Sequence, residues 1–167
     1  MPTWNMIGKP ITTAENSATI PGVFQRFRIP GPNPHMLLQG IGCGIIFHDP
    51  AFTALSAELW ADDGSGSPSV LLATSLTSWL KTEIDAQYTL DYKCLWMGFE
   101  FTPYPLRRDV WYHLALRMTG YTGNDTNHIA WRHSYPDAQY QTNLGFTIEA
   151  KKAAKVPLEA MIFAAEM

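Results

Sequence analysis

A chain of 167 residues with 46% hydrophobic side chains is sized for one domain with a substantial core, which excludes wholesale disorder. A formal net charge of -3 offers a polyanion nothing to bind, and no apolar stretch approaches the roughly 20 residues that span a bilayer, so neither nucleic acid nor membrane is expected as a partner. Charged residues are sparse at 16% and aromatics abundant at 13%, a balance that suits a surface partly covered by another chain.

Residues 1–21 are rich in Pro, Thr, Ala and Asn and show no strand period. They read as an extended arm ahead of a β domain at 22–167, either frayed or laid across a neighbouring subunit with Trp4, Met6 and Ile7 as anchors. No basic region followed by an apolar run opens the chain, so no secretory signal is expected.

From Gly22 onward the pattern has period two, the mark of strands with one buried and one decorated face. The first strand covers 22–29 and stops at Ile29-Pro30-Gly31-Pro32-Asn33-Pro34, where proline removes donors and fixes φ. The second covers 36–47, with Leu37, Gln39, Ile41, Cys43, Ile45 and Phe47 on one face and Gly40, Gly42 and Gly44 on the other. That glycine row leaves a flat trough for another backbone or an aromatic ring. It is not a phosphate loop, because no helix opens at the glycines. A strand at 53–61 sets Leu55, Ala57 and Leu59 against Ser56, Glu58 and Trp60; the turn at 62–69 leads into a strand at 70–76. Residues 78–84 suit either a strand or one helical turn. Strands follow at 92–101, at 110–118 after the turn 103–109, at 128–133, at 144–150 and at 158–165. The last runs nearly to Met167, the expectation for a complete one-domain chain with an ordered end. Such strands between Gly, Pro, Asp and Ser turns predict an all-β antiparallel jelly-roll sandwich of about eight to ten strands.

Residues with chemical potential are scattered. Cys43 and Cys94 lie within predicted strands and suit buried thiols or a disulfide between neighbouring strands; neither has zinc-ligand spacing. Glu58 and Glu100 point outward, and a carboxylate pair about 5–10 Å apart would suit glycoside hydrolysis if their strands were neighbours. Asp62, Asp63 and Asp125 sit in oxygen-rich loops that suit calcium or ordinary turn bonding. No nucleophile elbow or metal-binding histidine spacing appears, so neither a catalytic set nor a cofactor is expected. Arg26 with Arg28, and Arg107 with Arg108, are separate basic spots. Trp60, Trp96 and Trp111 fall opposite their strands' aliphatic rows, where flat indoles stack on sugar or pack into a protein partner.

The segments Phe24–Phe27, Ala57–Trp60, Gly66–Ser75, Met97–Phe101 and Val110–Arg117 come in this order, followed by Ile129-Ala130-Trp131 and an alternating last strand. The order resembles jelly-roll sandwich domains of phage structural proteins and bacterial surface proteins, relatives in shape of carbohydrate-binding modules. The resemblance spans about residues 23–166 and carries no catalytic residue onto the chain. It implies a bacteriophage virion protein, a capsid decoration (cement) protein or a head or tail fibre module, assembled in the host cytoplasm. Its expected partners are further copies in a trimer or higher ring, and a major capsid protein or tail/fibre protein. The alternative is a glycan-binding module that reads a host surface glycan with Trp60, Trp96 or Trp111 as the stacking platform.

Overall fold

A computed structural model of the chain describes residues 8–29, 35–87, 92–124, 126–132, 147–149 and 160–166. All strand pairs are antiparallel. One sheet runs β1 (Gly8–Ile11), β9 (His128–Arg132), β3 (Met36–His48), β7 (Tyr92–Leu106). The facing sheet runs β2 (Phe24–Arg28), β8 (Trp111–Thr119), β4 (Ala54–Asp62), β5 (Pro68–Thr74). Four strands on four, nested in this order, make the jelly roll that the alternation predicts. Three more strands extend it: β11 (Ala160–Glu166) shares an edge of β3 with β9, β6 (Trp79–Leu80) shares an edge of β4 with β5, and β10 (Thr147–Glu149) continues the second sheet beyond β2.

The inner faces carry the core. Leu55, Ala57 and Leu59 of β4 and Tyr112, Leu114, Leu116 and Met118 of β8 face Ile41, Cys43, Ile45 and Phe47 of β3, Met97, Phe99 and Phe101 of β7, and Trp131 of β9. Burial of this kind contributes about 1.5–3 kcal/mol for each large apolar side chain. In β3 the inward row changes phase. Met36 and Leu38 are buried together with Ile41, Cys43, Ile45 and Phe47, so Leu37 and Gln39 leave the face on which simple alternation puts them. The register against β11 slips between Phe163 and Ala164, placing one extra residue, Gln39, in β3. A bulge of one residue inverts every side chain beyond it.

Three further expectations are revised. Residues 8–21 are not an extended arm. β1 pairs with β9, and α1 (Thr13–Ser17) opens on a capping box in which Thr12 Oγ1 accepts from Glu15 N–H and the Glu15 carboxylate accepts from Thr12 N–H. Trp4, Met6 and Ile7 lie outside the described residues. The segment 78–84 is both candidates in turn, β6 and then α2 (Lys81–Gln87). β7 does not stop at Phe101 but runs through Pro103 and Pro105 to Leu106; as the edge strand of its sheet it tolerates residues without an N–H.

Cys43 is an unbridged thiol at the core, and burial pushes its pKa far up, so it is inert as a nucleophile. Cys94 is in register with Ile46, three positions further along β3.

Candidate functional site

The outward face of the second sheet carries two charge clusters. In the first, Arg26 of β2 donates through Nε to Asp62 Oδ2 at 2.8 Å, and His113 Nε2 lies 2.8 Å from the same oxygen. Strand pairing creates this meeting: Arg26 is opposite His113, and Trp60, two residues before Asp62, is opposite His113 on the other side. The Asp62 carboxylate also accepts from Gly64 N–H at 2.8 Å. Burial alone would raise its pKa; the hydrogen bonds from Arg26, His113 and Gly64 and the Arg26 charge outweigh it, so Asp62 is held below the usual carboxylate range. An ionised Asp62 can only accept, so His113 carries its proton on Nε2 and presents a bare Nδ1 lone pair, buried without a hydrogen-bond partner.

In the second cluster, Glu58 of β4 accepts from Arg117 Nε and Nη2, both at 3.1 Å, and from Trp60 Nε1 at 2.9 Å. Arg117 reaches on through Nη1 to the carbonyls of Asn16 and Ala18 at the end of α1. Asn16 meanwhile exchanges two 2.8 Å bonds with the backbone of Met118, as a strand residue would. Because β2 pairs with β8 only as far as Ala115, the Asn16 carboxamide takes the edge that β2 leaves open. Both clusters are built to hold elements together.

The three tryptophans have separate fates. Trp60 is 5% exposed and tied to Glu58, so it is not a platform. The Trp111 ring carries the Arg26 guanidinium 4.0 Å and the Arg28 guanidinium 4.8 Å from its centroid, so it is no open sugar platform either. Trp96 is 48% exposed, and its indole lies across Gly42: a Cβ there would sit 2.6 Å from Nε1. The glycine trough is thus filled by an aromatic ring of the next strand.

The other candidates do not converge. Glu58 and Glu100 stand on the outward faces of opposite sheets with the core between them, so they cannot flank one glycosidic bond. Asp63 accepts from Ser65 N–H at 2.7 Å, Ser67 N–H at 3.0 Å and the Ser65 hydroxyl; these bonds lower its pKa and close the loop on itself. With Asp62 held by Arg26, neither carboxylate is free for calcium, and Asp125 lies outside the described residues. Among the described residues no group of three His, Cys, Asp or Glu is gathered at metal-binding spacing.

Two histidines tie stability to pH. His113 has its pKa lowered by burial, partly offset by Asp62, with the Arg26 charge opposing protonation. His48, whose ring is tilted against that of His128 with centroids 4.5 Å apart across the β3–β9 pair, is lowered by burial and by His128. Each binds a proton more weakly folded than unfolded, so its contribution is complete above the ordinary histidine value of about 6.5 and is lost as pH falls below it. Asp62, lowered from the carboxylate range, adds a loss at still lower pH. The expected result is a melting temperature that is flat between about pH 7.5 and 8 and declines from about pH 6.5 toward 5. Thermal melts across that range check it, and a flat profile would contradict it.

Four of the seven exposed large apolar side chains among the described residues lie along one edge of the sandwich. Val70 and Leu71 of β5, Leu76 after it and Leu80 of β6 lie beyond the side of β4 that faces away from β8, with Val70 at 60% and Leu76 at 67% exposure. The segment between β5 and β6 crosses to the other sheet: Leu76 N–H donates to Glu100 O at 2.7 Å, and Trp79 Nε1 donates to Gly98 O at 2.8 Å. Trp96 belongs to this same β7 edge. Residues 64–80 contain no charged side chain at all. Edge strands ordinarily carry charges that discourage pairing, and this one has none. Register shifts opposite Trp60 twist β5, so the edge presents side chains rather than a flat ladder.

No family model, curated protein or solved structure matches this chain. Its site is therefore read from its own residues. Among those described, no helix is long and apolar enough to cross a membrane. The uncharged run 64–80 was visible in the sequence as an absence of Lys, Arg, Asp and Glu, a signal that turn chemistry and alternation alone pass over.

Proposed function

We propose that the protein is a structural component of a bacteriophage particle, a capsid decoration or head/tail fibre module that acts by docking to other chains. The observation that carries this reading is the exposed apolar edge of Val70, Leu71, Leu76 and Leu80 within a run without charge. Its occupant in this reading is a second copy of the chain. A neutral strip can be apposed to itself without bringing like charges together, whereas the rest of an acidic surface cannot. Cyclic assembly is the common outcome of such contacts, which suits a trimer or higher ring on a particle.

Mass spectrometry of gradient-purified particles, from lysates in which this gene is expressed, tests the reading. Peptides of this chain at a fixed ratio to the major structural proteins are the expected result. A chain absent from particles would overturn it. Absence together with glycan binding that depends on Trp96 would favour a glycan-binding module, a reading supported by Trp96 as the most exposed indole of the three.

A further inference from the structure

Among the described residues, Arg28 is a cation with no ion-pair partner. It ends β2 on the outward face of the second sheet, with its guanidinium 4.8 Å from the Trp111 centroid. Its register partners are Trp111 on β8 and Thr147 on β10, and neither position carries a carboxylate. The acidic position of β10, Glu149, is opposite Arg26 instead. Arg26 also has Asp62, whereas among the described residues no ion pair or hydrogen bond reaches the Arg28 guanidinium, and its Nε is buried without a partner. A buried guanidinium N–H left unpaired is costly, and native proteins supply it with an acceptor, best of all an anion.

The surroundings favour negative charge. The turn that enters β8 is tied to the end of β2 by Asp109 N–H donating to Ile29 O at 2.7 Å. That bond brings Arg107 and Arg108, both exposed, to the Arg28 end of the sheet, where the two cations outnumber the one carboxylate of the turn, Asp109, and Arg108 N–H donates to His35 Nδ1 at 3.1 Å. Two basic pairs far apart in sequence thus share one end of an otherwise acidic molecule. Trp111 holds the Arg28 plane in place, so little freedom is lost when a planar anion is gripped.

We infer that Arg28, backed by Trp111 and flanked by Arg107 and Arg108, is a docking point for a carboxylate on an acidic segment of a partner protein. A protein carboxylate is favoured over an acidic sugar because the guanidinium groups already occupy the indole on which a sugar ring would stack. The kind of partner rests on the assembly reading above; the anion site rests on Arg28 alone, and it lies on the sheet face, away from the β5–β6 edge.

The test is a low-salt NMR titration of the purified full chain with hexaglutamate peptide, following the Arg28 Nε–H and Trp111 Nε1–H resonances. A saturable shift of both is expected, weakened about tenfold in Arg28→Gln, partly kept in Arg28→Lys and unchanged in Lys81→Gln. Absence of a saturable shift at Arg28 in the wild type, or equal binding by wild type and Arg28→Gln, would overturn the inference. So would tighter binding of an oligogalacturonate or of inorganic phosphate than of the peptide. None of these outcomes depends on whether the chain is found in particles.

Discussion

Glu58→Ala is expected to lower unfolding free energy by about 3–5 kcal/mol, the cost of removing one partner from a buried ion pair. The side chain is 9% exposed and receives three donors, two from Arg117 and one from Trp60. Removing it leaves a guanidinium and an indole N–H facing an apolar methyl, and the penalty lies in those stranded donors more than in the lost attraction. Arg117 also carries the end of α1, so loosening it releases the contact between that helix and β8. Glu58→Gln keeps an acceptor at the site while removing its charge, and is expected to cost less, about 1–3 kcal/mol. Against the roughly 5–15 kcal/mol that holds a typical domain, the alanine variant is near the limit of folding at 37 °C. Urea unfolding of the three proteins decides it. Equal midpoints would mean that the cluster is ornamental, and the outward face of this sheet would need another explanation.

The sandwich was legible because an antiparallel sheet with one buried face imposes alternation on its sequence. Tyr112 to Met118 and Leu55 to Leu59 announce their inner faces, and Tyr112, Leu114, Leu116, Met118, Leu55, Ala57 and Leu59 are core, whereas Val110, which alternation puts in the same row, is exposed just ahead of β8. The bulge at Gln39 was not legible, since an extra residue in Leu37-Leu38-Gln39-Gly40 leaves a hydrophobic run that fits either phase. The N-terminal segment was misread through its composition, although Thr12 and Glu15 stand at capping-box spacing. Alternation places Trp60 and Trp111 on an outward face but does not say whether that face is open. Cross-strand partners decide it, and Glu58, Arg26 and Arg28 become neighbours only once β2, β8 and β4 are paired. For the same reason the two arginine pairs read as separate spots in the chain and as one end of the molecule in the fold.

The second large effect concerns assembly. Val70 and Leu76 are well exposed, so lysine at either position removes no core contact and is expected to leave the melting temperature within about 1–2 °C of wild type. Apposed edges of two copies would then bring like charges together in a contact with no acidic residue between positions 64 and 80 to compensate them. Light scattering of the purified full chain over a range of concentrations, for wild type and Val70→Lys/Leu76→Lys, measures this directly. A wild-type oligomer of defined mass and a folded monomeric double variant are the expected result. A wild type that is monomeric at every concentration, or a double variant with the same mass as the wild-type oligomer, would contradict it.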